Sequence, residues 1–169
     1  MSQETVCIFC SPHEDPHQHI VLENETCYFL QHDHHQDVLE GSGVIVPKAH
    51  RLTAFDLTPQ EWMDLQALLL QARAYLGERC HPDGYTLGWN VGPVSNQEIP
   101  HAHFHVIPRY ADEPYAGKGI RHWLKQEDNR RRGQTKVRHS CRHNDPTRNW
   151  DGPVYGTEPL AADGVQSGG

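Results

Sequence analysis

The sequence predicts an α+β fold, an antiparallel sheet carrying one long helix. Three observations predict it. Residues His101-Ala102-His103-Phe104-His105-Val106-Ile107 alternate imidazole with apolar side chains, the period of a strand with two different faces. Thr58-Pro59-Gln60-Glu61 opens a stretch whose apolar residues recur at helical spacing. The other apolar runs are short and closely connected, and antiparallel pairing needs only short connections.

Taken along the chain, residues 1–24 read as a loop holding a Cys7-Ile8-Phe9-Cys10 knuckle. Residues 26–31 read as a strand from their Cys-Tyr-Phe-Leu centre. Residues 36–47 hold two apolar runs around Gly41-Ser42-Gly43, as a hairpin or bent strand would. Thr58 is an N-cap, Pro59 fits the first helical position and Glu61 completes a capping box. A helix over 59–80 follows, with Trp62, Leu65, Leu69, Ala72 and Leu76 as its core stripe. His81-Pro82-Asp83-Gly84 ends it in a turn. Residues 85–91 alternate as a strand and 92–100 form a loop. Pro100 and Pro108 bracket the imidazole strand, and proline belongs at strand ends. Ile120, Trp123 and Leu124 support a short last helix. Few apolar residues follow, so the expected organisation is a domain over 1–132 and a polar, extended or disordered tail over 133–169.

Charge is unevenly placed. The chain carries a net charge of -7, yet nine Lys/Arg against three acids give 121–148 a local +6. That segment is a solvated face or an attractor of phosphate; a nucleic-acid partner is not the expectation. The N-terminus shows no basic and apolar signal segment, and no apolar run reaches the ~18 residues of a membrane span. Two of the five cysteines form a Cys-x-x-Cys, which points to metal or redox chemistry in a reducing, cytoplasmic compartment.

On a strand the three imidazoles share one face at roughly 6.7 Å spacing, while Ala102, Phe104 and Val106 point to the core. Such a row can bind a transition metal, shuttle protons or supply a nucleophile.

This stretch resembles the signature of the histidine triad superfamily, three histidines alternating with apolar residues. The likeness runs from Cys7 to about Arg109. It includes Val44-Ile45-Val46-Pro47-Lys48-Ala49-His50, Gly88-Trp89-Asn90-Val91-Gly92 and Gln97. It implies a sheet of about five strands with a long helix on one face, paired as a homodimer. It also implies nucleotidyl transfer to water, acting on dinucleoside polyphosphates or related nucleotide conjugates. By resemblance His103 is the nucleophile that forms a covalent nucleotidyl intermediate. His105 then binds phosphate oxygens and helps the leaving group depart. Asn90 and Gln97 match family positions that contact phosphate or leaving group. Phe9 and the 26–31 strand would shape the base site, and Asp33, or His34 beside it, would meet the ribose. Ser42 stands where many members carry another histidine near the leaving group. Glu98 stands where many carry a hydroxyl, and a carboxylate there repels phosphate unless it points away.

The resemblance further implies a structural zinc ion on Cys7, Cys10, His50 and His101, a Cys2His2 set. Cys27 and Cys80 read as packing residues, and Cys141 with His139 and His143 as a second metal candidate. Competing functional readings are a nucleoside phosphoramidase, a nucleotide-binding regulator with little turnover, and a metal module using the imidazole row itself.

Overall fold

The computed structural model describes residues 7–130. Contacts separate Met1–Asn129 from Arg130–Gly169, and the domain considered below is the first of these. The expected 133–169 tail and the Cys141 cluster lie outside the described residues.

Five strands form one antiparallel sheet: β1 (Gln18–Glu23), β2 (Cys27–His32), β3 (Gly43–Pro47), β4 (Gly84–Trp89) and β5 (Phe104–Arg109). Their spatial order is β1-β2-β3-β5-β4. Helix α1 (Pro59–Arg79) packs on one face and α2 (Ile120–Leu124) follows the last strand. None of the described helices is long and apolar enough to cross a membrane. The α+β architecture, its five strands and both helices match the sequence expectation.

Strand alternation divides the sheet into two faces. Cys27 and Phe29 on β2, Ile45 on β3 and Val106 on β5 pack with Leu65, Leu68, Ala72 and Leu76 of α1. Leu30 and Val46 point the other way, where Phe9 of the N-terminal knuckle closes over them. The first face is the main core, and the second carries the functional groups.

Three local expectations are corrected. Residues 18–23 form edge strand β1 rather than loop; a register shift between Ile20 and Leu22 breaks the alternation that would have announced it. Only the second half of 36–47 is a strand. Gly43 sits so close to β2 that a Cβ would lie 2.5 Å from the Leu30 carbonyl oxygen, so this glycine serves sheet packing and not a hairpin tip. On α1 the buried side chains are Glu61, Leu65, Leu68, Ala72 and Leu76, while Trp62 is 42% exposed and Leu69 only partly buried.

Glu61 explains that displaced stripe. Its carboxylate accepts from the Thr58 N–H at 2.7 Å and from Arg51 Nε at 3.0 Å. The Thr58 hydroxyl oxygen in turn accepts from the Glu61 N–H, so the capping box forms as expected. Burial raises the Glu61 pKa, but the bonds from Thr58 and Arg51 outweigh it and hold the carboxyl below the usual range. Arg51 in turn accepts at its carbonyl from the Ala102 N–H, at 2.6 Å. One acid therefore ties the start of α1 to the histidine segment. Glu61→Ala is expected to cost about 2–4 kcal/mol by removing a cap and stranding a partly buried arginine. Because the folded pKa is depressed, the Glu61 contribution is present above the unfolded carboxylate value. It is lost as pH falls through the lower folded value. Urea melts at pH 7 and pH 3 check both statements: the difference between native and variant should shrink at the lower pH.

Candidate functional site

The histidine segment alternates as expected, but its sheet ladder begins only at Phe104. Residues 101 and 102 bond outside the sheet: the His101 N–H reaches the Ile99 carbonyl at 2.8 Å and the Ala102 N–H reaches Arg51. Ala102 and Val106 are buried against α1, so His103 and His105 face the opposite side.

There they line a cavity of about 300 Å³. Its apolar wall includes Phe9, Leu30, Val44 and Ile99, and its polar rim includes Asn90, Asn96 and Glu98. Ser42 also lines it, as do His32 and His35 at the end of β2.

His103 is 7% exposed, and its Nδ1 lies 2.8 Å from the His101 carbonyl oxygen. A carbonyl can only accept, so Nδ1 carries the proton and Nε2 keeps its lone pair. The Phe9 ring tilts against this imidazole at 5.4 Å between centroids, and the His105 ring meets it edge-on at 4.9 Å. His105 Nε2 is buried and has no hydrogen-bond partner among the described residues. Burial, then the neighbouring His103, lowers the His105 pKa, so the ring is neutral at neutral pH. A buried polar atom left unpaired is costly, and it marks where a ligand atom would be welcome.

A second cluster lies beside the first. One donor atom each from Cys7, Cys10, His50 and His101 falls within 4.8 Å of the others. Cys7 Sγ lies 3.4 Å from His101 Nδ1, and Cys10 Sγ lies 3.5 Å from the same atom and 3.2 Å from His50 Nδ1. Tetrahedral zinc, with Zn–S near 2.3 Å and Zn–N near 2.0–2.1 Å, sets sulfur and nitrogen ligands about 3.5 Å apart. The donor set therefore fits the ion. His101 Nε2 donates to the Pro47 carbonyl at 2.8 Å, which leaves Nδ1 unprotonated and aimed at the sulfurs. Burial pushes the His101 pKa down to about 4, with the Pro47 bond opposing and His50 and His103 assisting. Burial, with Cys7 alongside, pushes the Cys10 thiol up to about 11 in the metal-free chain. A bound cation reverses that preference.

The knuckle connects the two clusters. The Cys10 and Ser11 N–H groups both bond the Cys7 carbonyl, closing the turn. Gln18 Nε2 holds the Ile8 carbonyl at 2.9 Å. The turn delivers Phe9, 5% exposed, onto both His101 and His103.

A profile of the HIT domain matches residues 14–112, more than half of the chain. The chain belongs to the HIT domain family. Among curated HIT-related proteins it is 32% identical over 108 residues to adenosine 5'-monophosphoramidase HNT1 of Saccharomyces cerevisiae, covering 63% of this chain and 64% of that one. It is 32% identical over 72 residues to bis(5'-adenosyl)-triphosphatase of Dictyostelium discoideum, covering 43% and 48%. It thus spans less than two thirds of the length of either relative. A zinc-bound histidine triad protein of Mycobacterium smegmatis shares the fold, with a TM-score of 0.53 at 23% identity over 64% of this chain and 78% of that one.

Within this HIT domain the structure gathers Phe9, Ser42, Asn90, His103 and His105 around one cavity, as the sequence suggested. Two expected contacts lie elsewhere. Gln97 receives the Gly92 N–H at Oε1, and its Nε2 donates to the Leu52 and Ile99 carbonyls. Both amide hydrogens are thus committed to clamping the loop before His101, and Gln97 does not line the cavity. Asp33 turns to His19 at 2.8 Å and His17 at 3.5 Å, outside the cavity lining. The strand runs one residue further than expected, to His32, so it is His32 that reaches the cavity. Leu30 belongs to the 26–31 strand expected to shape the base site, whereas Gln18, Val44 and Ile99 are lining residues outside the expected set. Period-two extension from His105 across the paired strands would have found Val44 and Leu30.

Proposed function

We propose that this chain is a nucleotidyl hydrolase or transferase acting on dinucleoside polyphosphates or related nucleotide conjugates, with His103 as nucleophile. One observation carries the reading. His103 Nδ1 is spent on the His101 carbonyl, while its unprotonated Nε2 belongs to a ring that lines a cavity sized for about one nucleotide.

The chemistry proceeds in two displacements. Nε2 attacks the α-phosphorus in line, a P–N bond forms to His103, and the bond to the leaving group breaks. The leaving group acquires a proton as it departs. Water then attacks phosphorus, the His103–phosphorus bond breaks, and a nucleoside 5'-monophosphate is released. If another acceptor replaces water, the same site is a transferase. His105 supplies the orphaned Nε2 to a phosphoryl oxygen, and the arriving negative charge favours its protonated form against the effect of burial. Asn90, whose amide reaches the Asn96 carbonyl only at 3.5 Å, can turn a donor to the same group.

Cys7, Cys10, His50 and His101 would hold zinc, and the name of the mycobacterial relative supports that choice of metal. Such an ion would be structural, tying the knuckle to the His101 segment. His101 then holds the His103 ring through its carbonyl, and Phe9 buttresses the same ring. The reading includes a homodimer, as the resemblance implies, and a cytoplasmic compartment, as the Cys-x-x-Cys suggests.

Glu98 favours a second reading of the leaving group. It lines the cavity, and its carboxylate opposes a polyphosphate but welcomes an amine that leaves with a proton. The name of the Saccharomyces relative points the same way, to a nucleoside phosphoramidase. A panel of diadenosine polyphosphates and adenosine phosphoramidates, with products separated by chromatography, tests both. Release of adenosine 5'-monophosphate from either class supports the reading. Tight nucleotide binding without release would mark a regulator instead.

A further inference from the structure

Gln18 is a polar side chain in an apolar part of the cavity wall. It is 8% exposed and lines the cavity together with Ile8, Phe9 and Leu30. Burying an amide costs free energy unless its donors and acceptor are met, so each of its polar atoms has to be accounted for. Nε2 lies 2.9 Å from the Ile8 carbonyl and 3.5 Å from the Pro12 carbonyl. Carbonyl oxygens only accept, so this end of the amide is the nitrogen, and both its hydrogens are taken. Oε1 has no hydrogen-bond partner among the described residues. It is not sealed away either, because His105 Nε2 is the one described side-chain polar atom that is both fully buried and unpaired. The amide therefore offers the cavity an acceptor and no donor.

Position decides what can meet that acceptor. Gln18 lies on β1, where it pairs with His32, and Ile20 pairs with Leu30. Strands β2 and β3 separate β1 from β5. Three strand spacings, about 14 Å, thus stand between Gln18's strand and that of His105. Side chains reaching in from both strands leave the room of one nucleoside, with its phosphate at His103 and His105. The faces of its base would rest on Ile8, Phe9 and Leu30, and the outer edge of the base would meet Gln18. An apolar pocket with a few fixed polar groups takes its orientation and specificity from those groups.

We propose that Gln18 selects the nucleobase, its Oε1 accepting a hydrogen bond from the exocyclic amino group of adenine. The proposal rests on the cavity being a nucleotide site. The bonds to Ile8 and Pro12 keep the amide from turning over to offer a donor, so an oxo group in the same place would meet a lone pair. A base with no group there would leave Oε1 unpaired against an apolar edge.

Calorimetric titration of the full chain tests this with adenosine 5'-monophosphate and purine riboside 5'-monophosphate, which lacks only the amino group. The native chain should bind the first about 10-fold more tightly. Gln18→Met keeps the length of the side chain without the amide, and should bring that ratio close to one. Loss of the clamp on Ile8 and Pro12 alone would weaken both ligands alike, so a ratio that survives the substitution overturns the proposal. A ratio near one in the native chain overturns it too, while the nucleotide site stands. A readout that needs no substitution is the side-chain carbonyl carbon of Gln18 in NMR spectra of the native chain. Its signal should move further with adenosine 5'-monophosphate than with the purine riboside ligand, and equal shifts contradict the proposal. If neither nucleotide binds, the nucleotide reading falls and takes this one with it.

Discussion

His103→Ala is expected to lower the rate of nucleoside monophosphate release by at least about 10³-fold, the usual consequence of deleting a nucleophile. The fold should survive, because the ring bonds only its own segment: Nδ1 to the His101 carbonyl, with Phe9 and His105 against its faces. Zinc content should survive as well, since His103 contributes no atom to the Cys7, Cys10, His50 and His101 group. Circular dichroism and metal analysis of the variant provide those controls. Should metal be lost on substitution of His103 or His105 instead, the imidazole row would be the metal site, and the nucleophile would be gone. His105→Ala should reduce turnover less, because it removes charge stabilisation and not the attacking atom.

Cys10→Ser is expected to remove the zinc and to lower Tm by about 10 °C, corresponding to roughly 3 kcal/mol for a domain of this size. Three links explain why a local ligand has a global effect. The ion would join the 7–10 knuckle to the turn after β3 and to His101. The knuckle supplies Phe9, which with Leu30 and Val46 makes up the buried cluster on this face. Without the ion, burial and Cys7 keep the Cys10 thiol protonated, at about 11, and the turn loses its tie to His50 and His101. Activity should fall too, as a secondary effect, because Phe9 and the His101 carbonyl both set the His103 ring. Addition of a strong chelator to the native chain should reproduce the drop in Tm. An unchanged melting curve and unchanged metal content in Cys10→Ser would remove the zinc assignment.

Much of this was legible in the sequence, for identifiable reasons. A strict period of two between bracketing prolines leaves little room for a reading other than an imidazole-faced extended segment. Thr58-Pro59-Gln60-Glu61 likewise specifies a helix start through local bonds alone, and that start is where it was expected. The Cys-x-x-Cys with His50 and His101 needed the fold to bring residues 94 positions apart together, and family likeness supplied what spacing could not. The failures share a cause. Apolarity points to Trp62 as a core residue, whereas Glu61 is the buried one, drawn in by Thr58 and Arg51. Gln97 matches a family position that contacts substrate, but that likeness says nothing of which carbonyls surround its amide here. The family resemblance points to Asp33 for the ribose, but strand β2 continues through His32 and sends Asp33 outward to His17 and His19. In each case a partner distant in sequence decided the outcome.

The most direct test of the account is to catch the covalent intermediate. The chain would be mixed with an adenosine phosphoramidate or diadenosine polyphosphate that it turns over, quenched within the first turnovers, digested and read by mass spectrometry. The account predicts an adenylyl group on the peptide containing residues 101–105, localised to His103 and absent when His103 is replaced by alanine. Rapid turnover with no adduct on that peptide, or with the adduct on another residue, would contradict it.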